Sequence, residues 1–261
     1  MDIRLDGKKA LITGGSLGLG RAMALEFARS GAAVAIVGRT RTTLDEAVEA
    51  ITAEADGARI EGFSCDVRDP VALAATHQEI VDRLGPIDIL VNNAGTSAGM
   101  PFMSSTDEDW QNDLDLKLMA AVRLCRLCIP AMQERGWGRI INVLNTAAKA
   151  PPAKSAPTSA SRAAGMALTK ALAAEMAPFG ILVNAMNTGV LVTNQWHAMH
   201  ERRAPDKSFE EFVEATGRQV PVGRMGDAAE FANLACFLAS DQASYVTGTS
   251  INIDGGLSPV V

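Results

Sequence analysis

The sequence is poor in the features that mark several classes of protein. It has no basic stripe, and its 24 Lys and Arg are outnumbered by 30 Asp and Glu, giving a net charge of −6. That balance excludes an extended nucleic-acid footprint. The opening MDIRLDGKKALITGG has no apolar core of a targeting segment. No apolar run approaches the roughly 18 residues needed to span a bilayer. The expectation is a soluble cytoplasmic protein with neither nucleic acid nor membrane as partner. No linker, repeat or low-complexity tract divides the 261 residues, so a single domain over 1–261 is expected.

Cysteine and histidine are scarce. The four cysteines are Cys65, Cys125, Cys128 and Cys236. Cys125 and Cys128 form a CxxC, but inside the apolar-periodic MAAVRLCRLCIPAM. That context reads as buried thiols rather than a redox or metal motif. His197 and His200 could share a helix face, but two ligands do not make a metal site. No metal is expected.

What is present is a strict alternation of apolar strand-like runs with helical patterns. ALIT precedes a glycine-rich turn and the helix RAMALEFARSG; AAVAIVGR, RIEGFSCDV, IDILVNNAG, GRIINVLNT and ILVNAMNTG follow as strands, each separated by a helix, and YVTGTSINIDGG ends the sheet. Strands this apolar belong to a parallel sheet covered on both faces. The alternation gives an α/β fold, a doubly wound Rossmann-type sheet. A long helix with an acidic first turn is expected over 106–136, and another over 157–180 with Pro157 and Gly180 at its ends. Residues 191–220 are long, polar and mixed. They read as a functional loop, a lid over a site.

Residues 13–20, TGGSLGLG, join the first strand to the first helix. Gly14, Gly18 and Gly20 allow a tight turn and close approach to a pyrophosphate, with Ser16, Leu17 and Leu19 between them. The helix start offers free N–H groups and the positive end of its dipole. The second strand ends at Gly38-Arg39, where an acidic residue would hold the ribose hydroxyls of NAD and an arginine the 2′-phosphate of NADP. Arg39, with Arg41 nearby, favours NADP over NAD.

With these motifs in order, the chain resembles the short-chain dehydrogenase/reductase family over about residues 5–258. The resemblance rests on TGGSLGLG, Asp66-Val67, Asn92-Asn93-Ala94-Gly95, SASRAAGMALTKALA, ILVNAMNTG and INIDGG. It implies that Asp66 and Val67 flank the adenine and that Asn92, Asn93, Ala94 and Gly95 shape the cofactor channel. It implies that Gly189, Val190 and Thr193 lie on the nicotinamide side. The substrate would be a small-molecule carbonyl or alcohol, and assembly a homo-oligomer, dimer or tetramer, through the segments 110–133 and 158–177.

The resemblance also implies a catalytic set of Asn, Ser, Tyr and Lys, with Tyr and Lys four apart on one helix face. Here all four slots differ: Lys117 stands for Asn, Asn145 for Ser, Thr158 for Tyr and Arg162 for Lys. Thr158 is too short and too weakly acidic to replace a phenol. Arg162 keeps the charge and can bind ribose hydroxyls but holds its proton. Asn145 can orient or polarise an oxygen through its amide. Lys117, if desolvated and close to Arg162, should have a lowered pKa and act as general acid or base. Lys154, Ser155, His197 and a water held by Asn145 and Thr158 are alternative proton sources. Three functions stay open: hydride transfer with a non-standard acid, silent dinucleotide binding by a sensor or partner subunit, and non-redox carbonyl chemistry. Trp196, Phe209 and Phe212 in the lid would suit an apolar or aromatic part of the substrate.

Overall fold

The structure, a computed structural model, describes residues 2–261. Seven parallel strands form one sheet in the order β3-β2-β1-β4-β5-β6-β7. They are β1 (Lys9–Thr13), β2 (Ala33–Gly38), β3 (Ile60–Ser64), β4 (Ile89–Asn92), β5 (Gly138–Asn145), β6 (Ile181–Thr188) and β7 (Ser250–Ile253). Side chains alternate between the faces of β1. Ala10 and Ile12 pack under α1 (Gly18–Arg29), α2 (Arg41–Glu54) and α9 (Ala228–Ala239), whose Phe27, Leu44 and Phe231 are fully buried. Leu11 faces the other layer, with Leu73 and Ile80 of α3 (Pro70–Leu84), Leu124 and Cys128 of α5 (Ala120–Arg135), and Met176 of α6 (Thr158–Met176). Burial on both faces is why these strands read as nearly continuous apolar runs. Crossovers reverse between β1 and β4, and the cleft opens at the carboxyl ends of those strands, as this topology requires.

Three expectations are corrected. The long helix is not uninterrupted. α4 (Asp107–Leu114) runs into a π-helical turn, Asp115–Met119, before α5 begins. One residue more per turn shifts the helix phase where such bulges often accompany functional sites. The segment 191–220 is not an irregular loop but carries two helices, α7 (Asn194–Arg203) and α8 (Phe209–Gly217). Ser208 and Glu211 form a capping box at the start of α8, and Trp196 faces Phe212 across the pair at 6.1 Å. The last strand is shorter than its apolar pattern, because Gly248, at φ +69°, turns the chain just before it.

Candidate active site

A cleft of about 660 Å³ runs along the carboxyl ends of the strands. At one end is the glycine loop. Gly14, Ser16, Leu17, Gly18 and Leu19 line it. Gly14 and Gly18 have φ of +63° and +53°, the left-handed region that favours glycine. α1 starts with Leu17 as its N-cap, which offers no side-chain acceptor, so the first-turn N–H groups are left for an anion. Gly20 is not in the lining. A Cβ there would lie 2.1 Å from the Gly14 carbonyl oxygen, so its role is close packing of α1 on the loop.

Beside it, Arg39 and Thr40 line the cleft at the end of β2. Arg39 is exposed and has no carboxylate partner among the described residues. Arg41 is no second candidate, since it pairs with Asp45 at 2.8 Å. Asp66 and Val67 line the adjacent wall. Arg68 grips Asp66 at 2.6 Å and holds its carboxyl below the usual carboxylate range. Asn93, Ala94 and Gly95 form the floor. Asn93 acts as a strut: its backbone N–H donates to Thr13 Oγ1 at 2.9 Å and its side chain to the Thr13 carbonyl at 2.9 Å, tying β4 to the glycine loop.

At the far end the cleft is lined by Gly189, Thr193 and the first turn of α7, Asn194 to Trp196. Val190 is outside the lining. Its carbonyl accepts from the Gly226 N–H at 3.0 Å, while Val192 donates to the Gly226 carbonyl at 2.9 Å. These two bonds fasten the chain just before α7 to the segment before α9. His197 and His200 pack on Phe209, with ring centroids 3.8 and 5.7 Å away, and neither lines the cleft. The lining also omits Lys154 and Ser155, whose hydroxyl donates to the Pro152 carbonyl at 2.6 Å. These three alternative proton sources are therefore not brought to the site. Cys125 and Cys128 are buried, and desolvation pushes the Cys125 thiol up to about 12.

The four slot residues do come together. Asn145, Thr158 and Arg162 line the cleft. Arg162 Nη1 donates to the Val143 carbonyl, and its Nε is buried without a partner among the described residues. Burial pushes its pKa down to about 10, which still leaves a cation at neutral pH. Asn145 Oδ1 is likewise buried and unpartnered. The side chain of Lys117 is fully enclosed, with 0% exposure, and lies behind Thr158. Its Nζ donates to Thr158 Oγ1 at 2.9 Å and to Asp113 Oδ1. Desolvation lowers the Lys117 pKa, Arg162 adds to that shift, and Asp113 opposes it.

Asp113 and Ser161 were not legible as site residues. Asp113 is 3% exposed, and its Oδ2 accepts from the Ser161 hydroxyl at 2.6 Å. The available signal was the i,i+4 spacing of Asp113 and Lys117, a spacing that on most helices marks a solvated surface pair.

A doubly wound sheet with a glycine loop at the strand switch defines a dinucleotide-binding α/β protein. The family model described as enoyl-(acyl carrier protein) reductase matches residues 14–258. The chain is 34% identical to the 3-oxoacyl-acyl-carrier-protein reductase of Escherichia coli, over 98% of this chain and 99% of the relative. L-sorbose reductase from Gluconobacter frateurii, solved with NADPH and L-sorbose, superposes with a TM-score of 0.95 at 34% identity, covering 100% of each chain. An NADPH-bound short chain oxidoreductase from Pseudomonas aeruginosa PAO1, described as containing an atypical catalytic center, superposes with a TM-score of 0.92 at 33% identity over 99% of each chain. The chain belongs to the short-chain dehydrogenase/reductase family.

Proposed function

We propose that the protein is an NADP-dependent oxidoreductase that reduces a small-molecule carbonyl to an alcohol, with Lys117 as the proton source. The observation that carries this reading is the enclosed Lys117 Nζ, 2.9 Å from the hydroxyl of Thr158, which itself lines the cleft. A buried lysine with a lowered pKa gives up its proton more readily than a solvated one. The glycine loop and the uncapped start of α1 fit a pyrophosphate, and the unpaired Arg39 fits the 2′-phosphate that distinguishes NADP from NAD. Arg162 lines the cleft with its guanidinium, held in place by the Val143 carbonyl, and serves the ribose. Asn145 orients the carbonyl oxygen. The nicotinamide supplies the hydride when bound. NADPH complexes and reductase activities among the relatives support the same assignment.

Two features of the reading go further than the cleft. Residues 191–220 act as the substrate lid, its base fixed at Val190 and Gly226. The chain assembles as a dimer or tetramer through the α4–α5 rod and α6, which pack side by side on one layer of the sheet.

Calorimetric titration with NADPH and NADH, followed by a carbonyl screen read at the nicotinamide absorbance, tests the function. NADPH should bind more tightly than NADH, and a carbonyl should be reduced. Lys117→Ala should lower turnover by about 10²–10⁴-fold, the usual contribution of a general acid, with NADPH affinity retained. Full turnover in that variant removes Lys117 from the chemistry. NADPH binding without reduction of any carbonyl makes the protein a silent binder.

A further inference from the structure

Lys117 cannot meet a substrate directly, because its side chain has no exposed surface and does not line the cleft. Thr158 separates them. A hydroxyl has two acceptor positions and one donor hydrogen. Both acceptor positions of Thr158 Oγ1 are filled, by the Lys117 ammonium at 2.9 Å and by the backbone N–H of Ala98 at 3.0 Å. Its own hydrogen is donated to no group among the described residues, although the residue is only 6% exposed. A buried hydroxyl does not leave a donor unused without a reason, and the open direction is the cleft that Thr158 lines.

We propose that Thr158 is a proton relay: its O–H is the group that protonates the substrate oxygen, while Lys117 reprotonates it and Asp113 positions Lys117. This inference rests on the carbonyl-reductase reading. As the reduced nicotinamide gives a hydride to the carbonyl carbon, the C=O π pair moves to oxygen. That oxygen forms a bond to the Thr158 proton, the Thr158 oxygen takes a proton from the Lys117 ammonium, and Lys117 ends as a neutral amine. The weak intrinsic acidity of a threonine is no obstacle, because no free alkoxide forms when both protons move together.

Asp113 is the positioning residue. Its two oxygens are held by Lys117 from the π turn and by Ser161 from α6. The charged groups around Lys117 are this carboxylate and the guanidinium of Arg162, so Asp113 is the one group that keeps the ammonium form available beside a second cation.

Single-turnover reduction by bound NADPH tests the relay in wild type, Thr158→Ser and Thr158→Val. Serine keeps the hydroxyl and should stay within about 10-fold of wild type, whereas isosteric valine should lose about 10²–10⁴-fold. NADPH affinity should be equal in all three. Two protons in flight should give a curved dependence of the wild-type rate on deuterium fraction in mixed H2O and D2O. Asp113→Asn should move the alkaline limb of the rate profile to lower pH with NADPH affinity kept, a shift that a purely structural role would not produce. If Thr158→Val keeps its rate while Lys117→Ala loses it, or if the isotope plot is straight, the relay is wrong and the reductase reading stands. If wild type binds NADPH and reduces nothing, both are wrong.

Discussion

A methyl group added at Gly95 would lie 2.6 Å from Nη2 of Arg162. The two residues come from different crossovers, after β4 and in α6, and the absence of a side chain at one makes room for the guanidinium of the other. Arg162 cannot simply swing aside, because Nη1 is bound to the Val143 carbonyl. Gly95→Ala should therefore act through Arg162. Overpacking of this kind costs about 1–3 kcal/mol, visible as a lower melting temperature. NADPH affinity should fall with it, and Gly95→Ala combined with Arg162→Lys should recover part of the stability. Denaturant melts and NADPH titration of the single and double variants check this.

On the proposed function, Arg39 sets the cofactor preference. It is exposed and unpaired, whereas Arg41 is held by Asp45. Hydrogen bonds to charged groups contribute about 1.5–3 kcal/mol, so Arg39→Ala should weaken NADPH binding about 10- to 100-fold and leave NADH nearly unchanged. Arg41→Ala should change neither. Parallel titrations of both variants with both cofactors measure the difference.

The sheet, the glycine loop and the strand-end motifs were legible because each is local: a period of two, a turn chemistry, a residue type at the end of a strand. The contribution of Asp113 was not. Its significance depends on the π turn, which has no strong sequence signature, and on Ser161 reaching it from 48 positions away. The two helices in 191–220 are hidden for a different reason. Ser208-Phe209-Glu210-Glu211 is a legible capping box, but the surrounding charge made 191–220 look irregular. Gly20 and Val190 lie within cofactor motifs but outside the cleft lining, where Gly20 allows close packing of α1 and Val190 bonds to Gly226.

The start of α9 should be sensitive to acid. Glu230 reaches back to the Asp227 N–H at 2.8 Å and pairs with Arg224 at 2.6 Å, and the Arg224 side chain holds its carboxyl down to about 2. Because the folded pKa is below the unfolded one, this stabilisation is present above about pH 4.5 and is lost as pH falls toward 2. The pair is exposed and screened, so its worth is below about 1 kcal/mol. Glu230→Gln should lower the melting temperature slightly at pH 7, by less near pH 2.5, and not at all well below pH 2. Thermal melts of both proteins across that range test the sign.

The proposed reduction requires Lys117 as the ammonium, and the ammonium fraction falls as pH rises through a pKa held below the ordinary 10.5. The kcat/KM for reduction should therefore decline on the alkaline side before pH 10.5, while the reverse oxidation rises over the same interval. The same shift has the opposite effect on folding. Between the folded pKa and 10.5 the unfolded chain binds more protons, so the contribution of Lys117 to stability increases with pH. Rate and melting profiles recorded together should move in opposite directions across that window.

On the proposed mechanism the Asp113–Lys117 pair is more useful to chemistry than to stability. Both side chains are almost wholly enclosed, at 1% and 0% exposure, and removing one member of a buried pair leaves an uncompensated charge that costs about 3–5 kcal/mol. Lys117→Met should therefore melt well below wild type, and its turnover must be read at low temperature. Replacing both members with apolar residues of similar size is often neutral or stabilising. Lys117→Met with Asp113→Leu should regain most of the lost stability yet stay inactive, with NADPH binding preserved. A double variant that melts no higher than Lys117→Met would instead make the pair a structural element of the rod, with Ser161 and Thr158 depending on it for their placement.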